Sequence, residues 1–220
     1  MARDDDYLTY LSGGAPGPVR PSSSAADRAA EHLARGVALA NHGDYNSAVA
    51  EFDRALALDP TLVKALNNRG YARNALKDFA LALADFEAAI RSDPLFGPAY
   101  NNRGLTLITL KEYERAEADF EAAIRIDPTM ALAWHNRGLA RAAIGRHADA
   151  IADFDRAIEL SPKLANAHHN RGVCHTALGE LDLALADYGR ELDVNPNRAV
   201  GYFNRGFVHS LRHDWQSAIA

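Results

Sequence analysis

The chain of 220 residues contains a single cysteine, Cys174, so no intrachain disulfide can brace it. It has no apolar run of about 18 residues, so the sequence offers no membrane-spanning helix. It has no surplus of basic charge. With 24 Lys and Arg against 29 Asp and Glu, the net charge of −5 removes the electrostatic basis for nucleic-acid binding. The signatures of common chemistry are missing too: no glycine-rich phosphate loop, no GxSxG, no HExxH and no paired CxxC. No cofactor is implied and no catalytic residue stands out. Asp4, Asp5 and Asp6 occupy the place where a secretory signal would be basic and then apolar, so a cytoplasmic chain is expected.

What the chain does contain is a strict period. Gly36, Gly70, Gly104, Gly138, Gly172 and Gly206 recur every 34 residues, each preceded by arginine. A fixed interval of this size marks stacked structural units. With the glycine numbered as position 8, repeats span 29–62, 63–96, 97–130, 131–164 and 165–198, with a partial sixth at 199–220. Position 20 is alanine in every copy: Ala48, Ala82, Ala116, Ala150, Ala184 and Ala218. Position 24 is aromatic: Phe52, Phe86, Phe120, Phe154 and Tyr188. Position 27 is Ala55, Ala89, Ala123 and Ala157, then departs at Glu191. Position 32 is proline: Pro60, Pro94, Pro128, Pro162 and Pro196.

Glycine and alanine at fixed points let two helices approach closely. The aromatic at 24 and the aliphatic residue at 28 share a helical face. Proline at 32 stops a helix. Two helices per repeat follow, at about positions 1–14 and 16–29. Position 7 is always arginine and position 23 always acidic, which predicts a row of ion pairs. Residues 1–28 differ in kind. They are rich in glycine, proline and serine and read as a flexible leader, with an apolar cluster at Tyr7, Leu8, Tyr10 and Leu11. Ser24 and Asp27 have the spacing of a helix cap.

This pattern resembles the tetratricopeptide repeat. The resemblance implies an all-α fold: an α-solenoid, a right-handed superhelix of antiparallel helix pairs. It also implies that positions 2, 5, 6, 9, 12 and 13 of each first helix face a concave groove. Position 6 reads Asn68, Asn102, Asn136, Asn170 and Asn204 after Ala34. Position 5 adds Asn67, Asn101, His135 and His169. An asparagine amide both donates and accepts, so a row of them can bond a peptide backbone without reading its side chains. The row is similar to the asparagine ladder of the O-GlcNAc transferases. Tyr71, Leu105, Leu139 and Phe207 at position 9 would add apolar contact. The lysine and asparagine clamp of the chaperone-tail receptors is not matched.

Nine histidines raise the question of a metal, and His209 and His213 are four apart. With no cysteine near them, packing explains the histidines better. Cys174 at position 10 reads as a small core residue.

The expected function is a non-catalytic scaffold that binds an extended peptide or a partner helix in its groove. Two alternatives remain. One is a module that self-assembles through open terminal faces, with Trp215 and Ile219 at the C-terminal end. The other is the targeting region of a larger enzyme. The expected partner is a protein or peptide, with neither nucleic acid nor membrane.

Overall fold

A computed structural model describes residues 24–212. Among these residues there are eleven α-helices and no strand. The described residues divide into two compact units, 24–111 and 112–212. The first holds α1 (Ala25–Asn41), α2 (Tyr45–Leu58), α3 (Val63–Ala75), α4 (Phe79–Ser92) and α5 (Gly97–Thr109). The second holds α6 (Tyr113–Ile126), α7 (Ala131–Ala143), α8 (His147–Leu160), α9 (Ala165–Ala177), α10 (Leu181–Val194) and α11 (Ala199–Leu211). Within each unit every helix packs on the next one, and first helices also touch across a repeat, as α3 does α5 and α7 does α9. The fold is all-α, built from helix pairs as the period predicts. Trp215 and Ile219 lie outside the described residues, as do residues 7–11.

The period has a mechanical origin in one contact. A methyl group placed on Gly70 would lie 2.7 Å from Cε1 of Phe86, and one on Gly138 would lie 2.7 Å from Cε1 of Phe154. The ring at position 24 therefore lies flush on the backbone at position 8, and only glycine leaves room for it. The same rings are wholly enclosed, with Phe52, Phe86 and Phe154 at most 1% exposed. Ala48, Ala82, Ala150 and Ala184 at position 20 are fully buried beside them. Burying one such ring contributes about 2–3 kcal/mol.

The turns between paired helices fall at position 15, where the backbone is left-handed. Gly145 has φ +79°, whereas Lys77 adopts φ +67° at the same point of its repeat despite its side chain. In repeats one to three the loop after the second helix is set by an acid at position 31. Asp59 accepts from the backbone of Thr61 at 3.0 Å, and Asp127 accepts from that of Thr129 at 2.9 Å. At the start of α1, Ser24 Oγ accepts from Asp27 N at 3.0 Å, so the helix begins four residues before position 1 of the first repeat.

The arginine and acid rows meet. In α3, Arg69 Nη2 donates to Asp85 Oδ1 at 2.6 Å and its Nη1 donates to Asp53 Oδ1 at 2.6 Å. In the second unit, Arg137 Nη2 donates to Asp153 Oδ1 at 2.6 Å, and Arg171 reaches both Asp187 and Asp155. Each guanidinium thus ties its own repeat together, and Arg69 and Arg171 also hold the second helix of the preceding repeat. Repeat one departs from this pattern. Arg35 pairs with Glu31 at 3.6 Å, while Glu51 is taken by His32 and Arg54. A second arginine, at position 11, was not anticipated from the sequence. Arg73 Nη1 donates to Asp85 at 2.7 Å, and Arg141 Nη1 donates to Asp153 at 2.9 Å. The buried carboxylates are therefore shared between two cations, which offsets the cost of removing them from water.

Two glycine substitutions separate packing from helix propensity. Alanine favours a helix interior by about 1 kcal/mol over glycine. At Gly138 that gain is outweighed by overpacking against Phe154, at about 1–3 kcal/mol, so Gly138→Ala lowers the urea midpoint. At Gly189, where an added methyl meets nothing within 4 Å, Gly189→Ala raises it. Equal shifts at the two sites would contradict the assignment.

Candidate functional site

The residues singled out at positions 5, 6 and 9 lie on α3, α5, α7, α9 and α11. In the first unit the amides are interior groups. Asn67 and Asn68 are fully buried, and Asn101 and Asn102 are 2% and 8% exposed. Asn102 Nδ2 donates to Asn67 Oδ1 at 3.0 Å, and Asn67 Nδ2 donates to Asn68 Oδ1 at 3.2 Å. Position 5 of one first helix therefore bonds position 6 of the next. Thr106 Oγ1 adds a parallel bond to Asn74 Oδ1 at 3.0 Å. The polar row stitches α3 to α5. Asn68 Nδ2 is the exception, buried without a hydrogen-bond partner. Tyr71 and Leu105 are half-buried, and the ring of Tyr71 stands edge-on to Tyr45 with centroids 6.2 Å apart.

In the second unit the row changes character along the chain. His135 and Asn136 are buried. The His135 ring tilts against Phe154, with centroids 5.5 Å apart. Burial lowers its pKa to about 4, so the imidazole is neutral at ordinary pH. Asn170 and Asn204 are half-buried, as is Leu139. Val173 is 42% exposed and Phe207 is 49% exposed. Phe203, at position 5 of α11, is 72% exposed. Phe203 and Val173 were not among the residues singled out from the sequence, although a phenylalanine where repeats two to five carry asparagine or histidine was a visible signal.

Repeat five holds a polar cluster that breaks the alanine pattern. Glu191 at position 27 is fully buried. Its carboxylate meets His169 Nδ1 at 2.9 Å and Arg198 Nε at 2.9 Å. Arg198 also donates to Asn166 Oδ1. A glutamate is larger than the alanine it replaces, and the next helix gives way: Gly201 stands where other repeats have Ala65, Ala99, Ala133 and Ala167. A methyl on Gly201 would lie 2.9 Å from Leu192 and 3.3 Å from Glu191 Cδ. Nearby, burial pushes the Asp187 carboxyl up, but the His168 ring 3.6 Å away and the hydrogen bonds from Arg171 override this and hold it below its usual value. Cys174 is buried, and burial raises its thiol to about 11, which suits a packing residue rather than a nucleophile.

A hollow of about 370 Å³ lies at the flank of repeat five, lined by Ile158, Pro162, His168, Arg171, Arg190, Asp193 and Val194. None of the position-6 amides lines it. Among the described residues, no group of three His, Cys, Asp or Glu side chains could hold a metal ion, and no helix is long and apolar enough to cross a membrane.

A model of the tetratricopeptide repeat matches residues 33–95, 68–131, 101–165 and 135–199. The chain belongs to the tetratricopeptide repeat family, whose members act as protein–protein interaction scaffolds and are generally non-catalytic. Solved structures share its α-solenoid fold. PilF of Pseudomonas aeruginosa aligns with a TM-score of 0.80 at 18% identity, covering 89% of each chain. PilW, a type IV pilus biogenesis factor, gives 0.81 at 22% identity, covering 87% of this chain and 89% of its own. YrrB, described as a repeat protein with an unusual peptide-binding site, gives 0.64 at 22% identity, covering 84% of this chain and 92% of its own. At these identities the likeness is one of fold alone. No curated protein sequence matches the chain.

The buried imidazole of His135 makes stability depend on pH. Its folded pKa, about 4, lies below the ordinary 6.5, so between these values the unfolded chain binds more protons. Stability from this group is present above pH 6.5 and is lost as pH falls toward 4. The loss at pH 5 is about 2 kcal/mol. Denaturation at pH 7 and pH 5 measures it. His135→Asn, which installs the residue of Asn67 and Asn101, flattens the difference by that amount. An unchanged pH slope would contradict the neutral, buried ring.

Proposed function

We propose that the chain is a non-catalytic scaffold that binds an extended peptide or partner helix along the first-helix faces of its repeats. The observation that carries this reading lies in the second unit, where half-buried Asn170 and Asn204 stand one repeat apart on α9 and α11. On the same helices, three residues further on, Val173 and Phe207 are 42% and 49% exposed. Amides that can bond a backbone therefore alternate with apolar groups that can seat side chains. The deeper amides, Asn67, Asn101, Asn102 and Asn136, hold the frame, while His135 packs on Phe154 and His169 on Tyr188 and Glu191. Tyr71, Leu105 and Leu139 supply shallower apolar contact. A peptide-binding site in YrrB, a protein of the same fold, lends the reading support. The ligand suited to these faces is neutral and partly apolar, because the position-6 and position-9 side chains carry no charge.

The test is a peptide selected on the intact chain from a random display library, with its affinity measured by fluorescence anisotropy. Asn170→Ala and Asn204→Ala each weaken it about 2- to 10-fold, the loss of one hydrogen bond. Phe207→Ala weakens it more, and thermal unfolding is unchanged in all three. Selected peptides that bind all three variants as tightly as the parent would overturn the proposal.

A further inference from the structure

In repeats three and four, the aromatic ring at position 4 bridges two fixed neighbours. Trp134 Nε1 donates to the carbonyl of Pro128 at 2.9 Å, and the Arg137 guanidinium lies over its ring, 4.8 Å from the centroid. The Tyr100 hydroxyl donates to the carbonyl of Pro94 at 3.3 Å, and Arg103 stands 5.8 Å from its ring centroid. The donor edge of each ring thus meets proline 32 of the preceding repeat, and its face meets arginine 7 of its own.

Repeat five lacks this ring. Its position 4 is His168, a buried imidazole with Nδ1 3.6 Å from Asp187 Oδ1. The hollow of about 370 Å³ at this flank is lined by the residues that would surround the missing aromatic. Pro162 stands at the register of Pro128, Arg171 at that of Arg137, and Ile158 at that of Ile124. Repeat two also has no aromatic at position 4, but there Leu66 packs among Leu56 and Ile90.

Arg171 is prepared as Arg137 is. Its N–H groups are taken by Asp187 and Asp155, just as those of Arg137 are taken by Asp153. A cation–π contact uses the face of the guanidinium, not those edges. The remaining walls select the occupant. Ile158, Pro162 and Val194 are apolar, and the exposed Arg190 and Asp193 carry opposite charges, so neither ionic sign is favoured. A neutral ring with one donor at its edge matches these walls. Of the two internal examples, the indole of Trp134 makes the shorter contacts.

We propose that this hollow docks a tryptophan side chain of a partner polypeptide. The indole lies against Ile158 and Pro162 beneath Arg171 and donates to the carbonyl of Pro162. The partner thereby supplies the ring that repeat five lacks. The site shares no residue with the groove proposed above and stands whether or not that reading holds.

The test titrates the full-length, nitrogen-15-labelled chain with N-acetyl-tryptophanamide, and with the tyrosine, phenylalanine and leucine analogues, following backbone amide shifts. The tryptophan compound moves signals of residues 163–171 and 190–194. It binds about 5-fold more tightly than the phenylalanine compound, which has no ring donor, and the leucine compound binds more weakly still. His168→Trp fills the hollow from within and abolishes the shifts. Val194→Glu changes an exposed wall residue, so the fold is kept and the tryptophan compound binds several-fold more weakly. Three results would overturn the proposal. They are a tryptophan compound that binds no better than the leucine one, shifts centred on Asn204 and Phe207 instead, and both variants binding like the parent.

Discussion

Repeats one, two, four and five depend on the contact between the backbone at position 8 and the aromatic ring at position 24. The ring lies where a Cβ would otherwise be, 2.7 Å from the ideal methyl position at both Gly70 and Gly138. That closeness fixes the separation of paired helices. It brings alanine 20 into full burial and places arginine 7 within reach of acid 23. A larger residue at position 8 would push the second helix outward and pull the ion pair apart. The strict interval in the sequence is therefore the trace of a steric condition renewed in each unit. Stability in such arrays is nearly a sum of local terms and nearest-neighbour junctions.

The polar interior follows from the same geometry. Close helix packing buries the amides at positions 5 and 6, and buried amides must be paired. Asn67, Asn68 and Asn102 answer this by bonding to one another across α3 and α5, although one donor of Asn68 remains unsatisfied. Toward the end of the chain the pattern loosens. Glu191 replaces an alanine, Gly201 makes space for it, Arg198 pairs with it, and His169 Nδ1 lies 2.9 Å from its carboxylate. Beyond that point the first helix presents exposed phenylalanines. Residues of one register thus act as a frame in α3 and α5 and as accessible surface in α9 and α11.

The fold was legible in the sequence because glycine, aromatic and proline each answer a local requirement with few solutions. The arginine row was legible for a related reason, since Arg69, Arg137 and Arg171 and their acids recur at fixed offsets. Repeat one escaped that rule, because no earlier repeat supplies a carboxylate at position 25 and His32 and Arg54 claim Glu51 instead. The sharing of Asp85 and Asp153 with Arg73 and Arg141 was hidden, because position 11 alternates among leucine, arginine and histidine. The site was less legible than the fold. Asparagine reads the same in sequence whether it bonds a neighbour or a ligand, and only burial separates Asn68 and Asn102 from Asn170 and Asn204. Phe203 was not legible as a site residue because it breaks the polar series of position 5 instead of repeating it.

The central claim is that the first-helix faces of repeats five and six form the accessible interaction surface, with the second helices as scaffold. Backbone amide chemical-shift mapping of the labelled chain, titrated with a selected peptide, tests it most directly. The account predicts perturbations concentrated on α9 and α11 around Asn170, Val173, Asn204 and Phe207, with α8 and α10 nearly silent. Perturbations centred on α8 and α10, with α9 and α11 unmoved, would contradict it.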